Sequence, residues 1–133
     1  MPLIRIDVLS AIDNSRLEAL GDAVHEAMTE SIDVPRDDLF QILNTHDKPG
    51  IRYDPDYLGV HRDDEIVYIA ITMRAGRTNE QKQALYKRIA ELASEKAGIE
   101  PRNIFVTLAE NQLIDWSFGD GVAQYAAAVT TRG

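Results

Sequence analysis

Apolar positions along the chain follow two periods in turn, and the same order of periods occurs twice. Residues 3–9 (LIRIDVL) alternate between β-branched and other side chains, the two-residue period of a strand. Ser15-Arg16-Leu17-Glu18 then has the S-x-x-E spacing of a capping box. Leu17, Leu20, Val24, Met28 and Ile32 follow at steps of three or four, which predicts an amphipathic helix. Val34-Pro35 ends it, and 39–43 reads as a second strand. The later half repeats this order. Residues 66–73 (IVYIAITM) form an apolar strand, and Thr78-Asn79-Glu80-Gln81 is a second capping box. Leu85, Ile89, Leu92 and Ala93 give a second helical stripe, with Gly98 placed as its C′ residue. Residues 104–108 close the unit as a strand. The two helix exits also match, Pro35-Arg36-Asp37-Asp38-Leu39-Phe40 beside Pro101-Arg102-Asn103-Ile104-Phe105.

The pattern predicts an α+β fold, a tandem β-α-β repeat in one domain spanning 1–133. The repeat units are about 2–45 and 66–110, joined by the polar loop 46–65 and followed by the tail 111–133. Each β-α-β unit pairs its strands in parallel through a right-handed crossover. Joining two units gives one four-stranded mixed sheet with both helices on one face. The other face is left uncovered, and an exposed apolar sheet predicts a homo-oligomer assembled through it.

Composition narrows the chemistry. With 133 residues, 44% of them apolar, the chain is globular. It contains no cysteine, which excludes disulfides, thiolate metal sites and a Cys nucleophile. The net charge of −8 argues against a nucleic-acid partner. It leaves room for a small anionic substrate, because a few buried arginines dominate at contact distance. No apolar run is long enough to span a membrane, and the start MPLIRIDVL lacks the features of a signal peptide, so a cytoplasmic protein is expected. There is no Gly-rich phosphate loop, no H-E-x-x-H and no G-x-S-x-G. His25, His46 and His61 lack ligand spacing, and His25 falls on the polar side of the first helix, expected to be exposed. No metal or cofactor is expected.

A pseudo-twofold between the units would gather particular residues at one sheet edge. The first and third strands would be antiparallel. Pro2 would then lie beside Arg74 and Arg77, with Asp38 and the stretch Asp115-Trp116-Ser117-Phe118-Gly119-Asp120-Gly121 at the same end. A proline freed by removal of Met1 is a secondary amine on a rigid ring. Amino-terminal groups titrate near about 7.7–8.0, so such an amine serves as proton donor, base or nucleophile. Arg77 precedes a helix start and suits a carboxylate; a solvated or ion-paired arginine is the plainer reading. Asp37 competes with Asp38 for the acidic role. Trp116 and Phe118 suit either packing or an apolar wall.

These residues match a family. Pro2-Leu3-Ile4-Arg5-Ile6, the doubled β-α-β and the R-T-x-E-Q-K stretch at 77–82 resemble the tautomerase superfamily. Val34-Pro35-x-x-Asp38-x-Phe40-Gln41 and Asp115-Trp116-Ser117-Phe118-Gly119 look like its malonate semialdehyde decarboxylase branch. The resemblance implies a trimer and a cofactor-independent decarboxylase of a small 3-oxo acid such as malonate semialdehyde. It implies Pro2 as the catalytic amine, Asp38 as the residue that positions or polarises it or activates water, and Arg77 as the carboxylate clamp. Trp116 and Phe118 would exclude water. Where some members carry R-x-R, this chain has Arg74-Ala75-Gly76-Arg77, which makes Arg77 the first candidate and Arg74 the second. Promiscuous hydratase or tautomerase activity would accompany the decarboxylase, and two further readings remain open: a keto–enol tautomerase of a 2-oxo acid, and a non-catalytic ferredoxin-like binding module in which Pro2 is dispensable.

Overall fold

The computed structural model describes residues 2–126; Met1 and the end of the predicted tail, 127–133, lie outside the described residues. Strand β1 (Pro2–Leu9) leads to helix α1 (Asn14–Ile32) and strand β2 (Gln41–His46). Strand β3 (Val67–Arg74), helix α2 (Asn79–Ala97) and strand β4 (Ile104–Asn111) repeat the order. The sheet runs β2-β1-β3-β4. β1 pairs in parallel with β2, β3 in parallel with β4, and β1 with β3 antiparallel at the centre, with Pro2 opposite Met73. The expected four-stranded mixed sheet of two β-α-β units is therefore present.

Alternation along the central strands decides which face is dry. Ile4, Ile6 and Val8 of β1 and Ile69, Ile71 and Met73 of β3 point to one face and are buried. They meet Leu20, Val24 and Met28 of α1 and Leu85, Ile89 and Leu92 of α2 in one core. Each such side chain contributes roughly 1.5–3 kcal/mol on full burial. α2 starts where its sequence signal lies: Thr78 accepts the Gln81 N–H and Gln81 returns the bond to the Thr78 N–H. Gly98 closes it in the left-handed conformation, φ 65°.

Three expectations are corrected. α1 is capped by Asp13, whose carboxylate accepts the Arg16 N–H at 2.9 Å, so Ser15 lies inside the first turn and forms no capping box. A carboxylate two residues upstream takes the first free donors before the hydroxyl reaches them. β2 begins at Gln41, later than the 39–43 pattern suggests, because 35–38 are tied in a turn by the Asp38 N–H to Pro35 carbonyl bond. The opposite sheet face is not uniformly apolar. Leu3 and Ile42 are exposed there, but Arg5 and His46 both pair with Asp7 between them. The loop 46–65 folds over the far end of this face, where Ile51 packs with Leu9 and Ile66. It lines neither of the clefts described next. No described helix is long and apolar enough to cross a membrane.

Candidate active site

The antiparallel β1–β3 pairing puts Pro2 at the edge where β3 ends. Parallel β3–β4 pairing places Asn111 opposite Arg74 at that same edge. The chain leaving β4 therefore turns back over Pro2. Pro2, Leu3, Phe40, Trp116, Ser117 and Phe118 line a cleft of about 200 Å³. Trp116 and Phe118 stack, centroids 5.5 Å apart and planes 7° apart, and Phe40 approaches Phe118 at 6.2 Å. The Trp116 indole N–H donates to the Asn111 side-chain oxygen at 2.7 Å, which fixes the ring. Gly119, Asp120 and Gly121 all have positive φ, so the two glycines allow a tight reversal that most residues resist.

Asp38 sits in the turn before β2 and is only 5% exposed, whereas Asp37 faces solvent. That difference separates the two acids that sequence left in competition. Burial raises the Asp38 carboxyl above the ordinary aspartate range. The positive chain terminus and His25 pull it back, and Asp37 adds to the rise. The carboxylate is thus desolvated and in the field of the positive chain terminus, which here is the Met1 amine one residue before Pro2.

Arg74 and Arg77 meet at a second, polar cleft of about 170 Å³, with Ile32, Asp33, Gly76 and Gln81. Arg77 is half-buried. Its Nη1 donates to the Arg74 carbonyl at 3.2 Å and its Nη2 to the Ile32 carbonyl at 3.4 Å. Neither arginine forms an ion pair among the described residues, although Asp33 and Glu110 are near enough to act on Arg77 electrostatically. Burial, then the neighbouring Arg74, lowers the Arg77 pKa; a guanidinium remains charged regardless. An anion entering this cleft would relieve the repulsion. The extra residue between the arginines does not part them: both line the cleft, Arg74 from its exposed rim.

Several residues were not legible beforehand. His25, expected to be exposed, is half-buried, because the segment after α1 folds back across it. Its Nε2 lies 2.7 Å from the Arg36 carbonyl and must carry the proton, since a carbonyl only accepts. Phe40 and Asn111 serve the aromatic cleft. Tyr125 lies in the field of Asp38, Arg74 and Arg77. Apart from Phe40, which stands in the Val34-Pro35-x-x-Asp38-x-Phe40-Gln41 stretch, none of these belongs to a spacing motif; the strand pairing that places Asn111 opposite Arg74 is the one other available signal.

Two family profiles, both described as tautomerase enzyme, match the chain over residues 38–119 and 2–60. The probable tautomerase YusQ of Bacillus subtilis (strain 168) is 43% identical over 124 residues, covering 93% of this chain and 98% of that protein. Two solved structures have the same architecture. FG41 malonate semialdehyde decarboxylase inhibited by 3-bromopropiolate superimposes with a TM-score of 0.89 and 38% identity, covering 96% of each chain. A malonate semialdehyde decarboxylase studied for its decarboxylase and hydratase activities gives 0.89 and 30%, over 96% of this chain and 98% of that one. The sequence likeness spans both repeat units and the aromatic turn, and this chain belongs to the tautomerase superfamily, in its malonate semialdehyde decarboxylase-like branch.

Proposed function

We propose that the protein is a cofactor-independent decarboxylase of a small 3-oxo acid such as malonate semialdehyde, with Pro2 as its reactive amine once Met1 is removed. The observation that carries this reading is the convergence at one sheet edge. An aromatic cleft holds Pro2, a buried carboxylate lies in the field of the chain terminus one residue before it, and a half-buried arginine with no ion pair among the described residues lines the neighbouring polar cleft.

The substrate carboxylate binds Arg77, with Arg74 assisting. The 3-oxo oxygen faces the Pro2 ammonium. As the bond to the carboxyl carbon breaks, CO₂ leaves and its electron pair moves toward the oxo oxygen, giving an enol or enolate that the ammonium stabilises. A proton delivered to C2 then yields the aldehyde, acetaldehyde from malonate semialdehyde. In the covalent variant, neutral Pro2 attacks the carbonyl and water is lost. The iminium nitrogen receives the electron pair, and hydrolysis of the enamine's protonated form releases product. Phe40, Trp116 and Phe118 keep solvent from the reacting carbon. Acetaldehyde formation from malonate semialdehyde by Met1-free protein tests the reading; its absence at high enzyme concentration would overturn it.

Asp38 supplies a pH signature. A buried carboxylate titrates above an exposed aspartate, and its negative charge holds the Pro2 ammonium. kcat/KM is therefore expected to fall as pH drops through the raised Asp38 pKa, at higher pH than for an ordinary aspartate. The groups acting on this carboxyl are the chain terminus, His25, Asp37 and Tyr125. Asp38→Asn should remove the limb and lower the neutral-pH rate about 10²-fold. An unchanged acid limb in that variant would assign it elsewhere.

A keto–enol tautomerase of a 2-oxo acid is the second reading, favoured by the likeness to the probable tautomerase YusQ. It requires neutral Pro2 as base, and a parallel assay with an enolised 2-oxo acid separates the two. Assembly is proposed as a trimer through the open sheet face, where Leu3, Ile42 and Phe105 are exposed beside the Arg5–Asp7–His46 group. Sedimentation equilibrium should return three chain masses at micromolar protein; a single chain mass would refute the assembly.

A further inference from the structure

Asp38 is buried in a stretch that has no packing of its own. Of residues 35–40 it alone is buried; Pro35, Arg36, Asp37, Leu39 and Phe40 are all exposed. Apolar burial of its neighbours therefore does not hold this carboxylate in place, and hydrogen bonds must. The base of the turn is closed by the Asp38 N–H to Pro35 carbonyl bond at 3.1 Å. Beyond it, the Ile4 N–H donates to the Phe40 carbonyl at 3.1 Å and joins the chain to β1, close to Pro2. The middle of the turn is tied to α1 by one side chain, His25, whose Nε2–H donates to the Arg36 carbonyl at 2.7 Å. Arg36 and Phe40 straddle Asp38, so the carboxylate sits between an anchor on α1 and an anchor on β1.

The mechanism above does not use His25. Its ring follows the buried Val24 and precedes the buried Met28, at the rim of the core. It is near enough to Asp38 for its charge, when it carries one, to lower the carboxyl pKa against the rise from burial and from Asp37. The two ring nitrogens differ in what they do. Nε2 makes the bond to the turn, whereas Nδ1 is buried and has no hydrogen-bond partner among the described residues. The tie to the turn thus runs through one nitrogen, and the other adds nothing to it.

We infer that His25 is a positioning residue, whose bond to the Arg36 carbonyl fixes the turn that keeps Asp38 buried at the Pro2 end of the sheet. The inference rests on the role proposed for Asp38 above. His25 touches neither substrate nor reacting atoms and acts through Asp38. Without its bond the turn loosens, water reaches the carboxylate, and its hold on the Pro2 ammonium weakens. Arg77 lines the other cleft, so substrate binding there is left as it was. The effect therefore falls on kcat more than on KM.

His25→Ala is expected to lower kcat for decarboxylation about tenfold, with KM changed by less than about twofold. In an Asp38→Asn background the same change should cost less than about twofold, because the residue it positions has already lost its charge. Two conservative variants then ask which nitrogen matters. His25→Gln puts an amide donor where Nε2 stands and should recover most of the rate. His25→Asn puts its amide where the unpartnered Nδ1 stands and should not. A side chain that merely supports α1 would not separate these two amides, and the thermal midpoint of each variant reports its folding. Where His25→Ala fails to fold, the Gln and Asn variants, each with and without Asp38→Asn, carry the same comparison. Independent, multiplying losses with Asp38→Asn, equal rates for Gln and Asn, or a loss in KM alone would overturn the inference and leave the decarboxylase reading standing. Wild type inert toward malonate semialdehyde would overturn the proposed function, and this inference with it.

Discussion

Pro2→Ala lowers kcat/KM for decarboxylation by about 10²–10³-fold, and any residue left in front of Pro2 abolishes turnover. The two changes differ for a chemical reason. Alanine still ends the chain in an amine of similar basicity, so some proton donation survives, but the rigid ring that aims the lone pair from the start of β1 is lost. A preceding residue instead turns the nitrogen into a tertiary amide. That nitrogen carries no proton and no available lone pair, and neither mechanism can operate. Intact mass must first establish that Met1 has been removed. Trapping then separates the two mechanisms. Borohydride added during turnover reduces an iminium to a stable amine and leaves the substrate skeleton on the Pro2 peptide, whereas a hydrogen-bonded carbonyl leaves that peptide unmodified. Full activity in an amino-terminally tagged protein would refute both routes, and would favour the non-catalytic reading in which Pro2 is dispensable.

The parts of this site that sequence made visible are those fixed by periodicity and capping. Thr78–Gln81, Gly98 and the two helical stripes determine where the helices begin, end and bury themselves, and the doubled order then dictates the strand pairing. Pro2 and Arg74 reach one edge as a consequence of topology alone. Choices that depend on which of two neighbours is desolvated were not visible. Asp37 and Asp38 are chemically identical in the chain, and only the Pro35–Asp38 turn buries one and exposes the other. Asp13 capped α1 although Ser15 had the better-known spacing, because competing caps are decided by the local backbone rather than by a pattern. The open sheet face departs from its expected apolar character for a similar reason. Alternation along β1 sends Arg5 and Asp7 to that side, where they pair with each other and with His46, so an uncovered face need not be a uniformly apolar one. Tyr125 lies in no motif, and its placement depends on a reversal set by Gly119, Asp120 and Gly121.

Arg77→Ala raises KM and lowers kcat/KM by about 10²-fold, with the same loss in inhibition by malonate, a non-reactive dicarboxylate. A charge-assisted hydrogen bond contributes about 1.5–3 kcal/mol, and a tenfold change corresponds to about 1.4 kcal/mol, which sets that scale. The half-buried guanidinium is already oriented by the carbonyls of Arg74 and Ile32, so little side-chain freedom is lost when the substrate arrives. Lysine at this position keeps the charge but not the planar fork; Arg77→Lys is expected to recover only part of the loss. Arg74, on the exposed rim of the same cleft, is screened by solvent, and Arg74→Ala should cost no more than a few-fold. Because Arg77 also bonds two backbone carbonyls near the start of α2, urea unfolding of each variant must show whether folding is intact. The decisive comparison is between parameters. A loss confined to kcat, with malonate inhibition unchanged, would mean that Arg77 meets charge formed during the reaction and that the substrate carboxylate is held elsewhere.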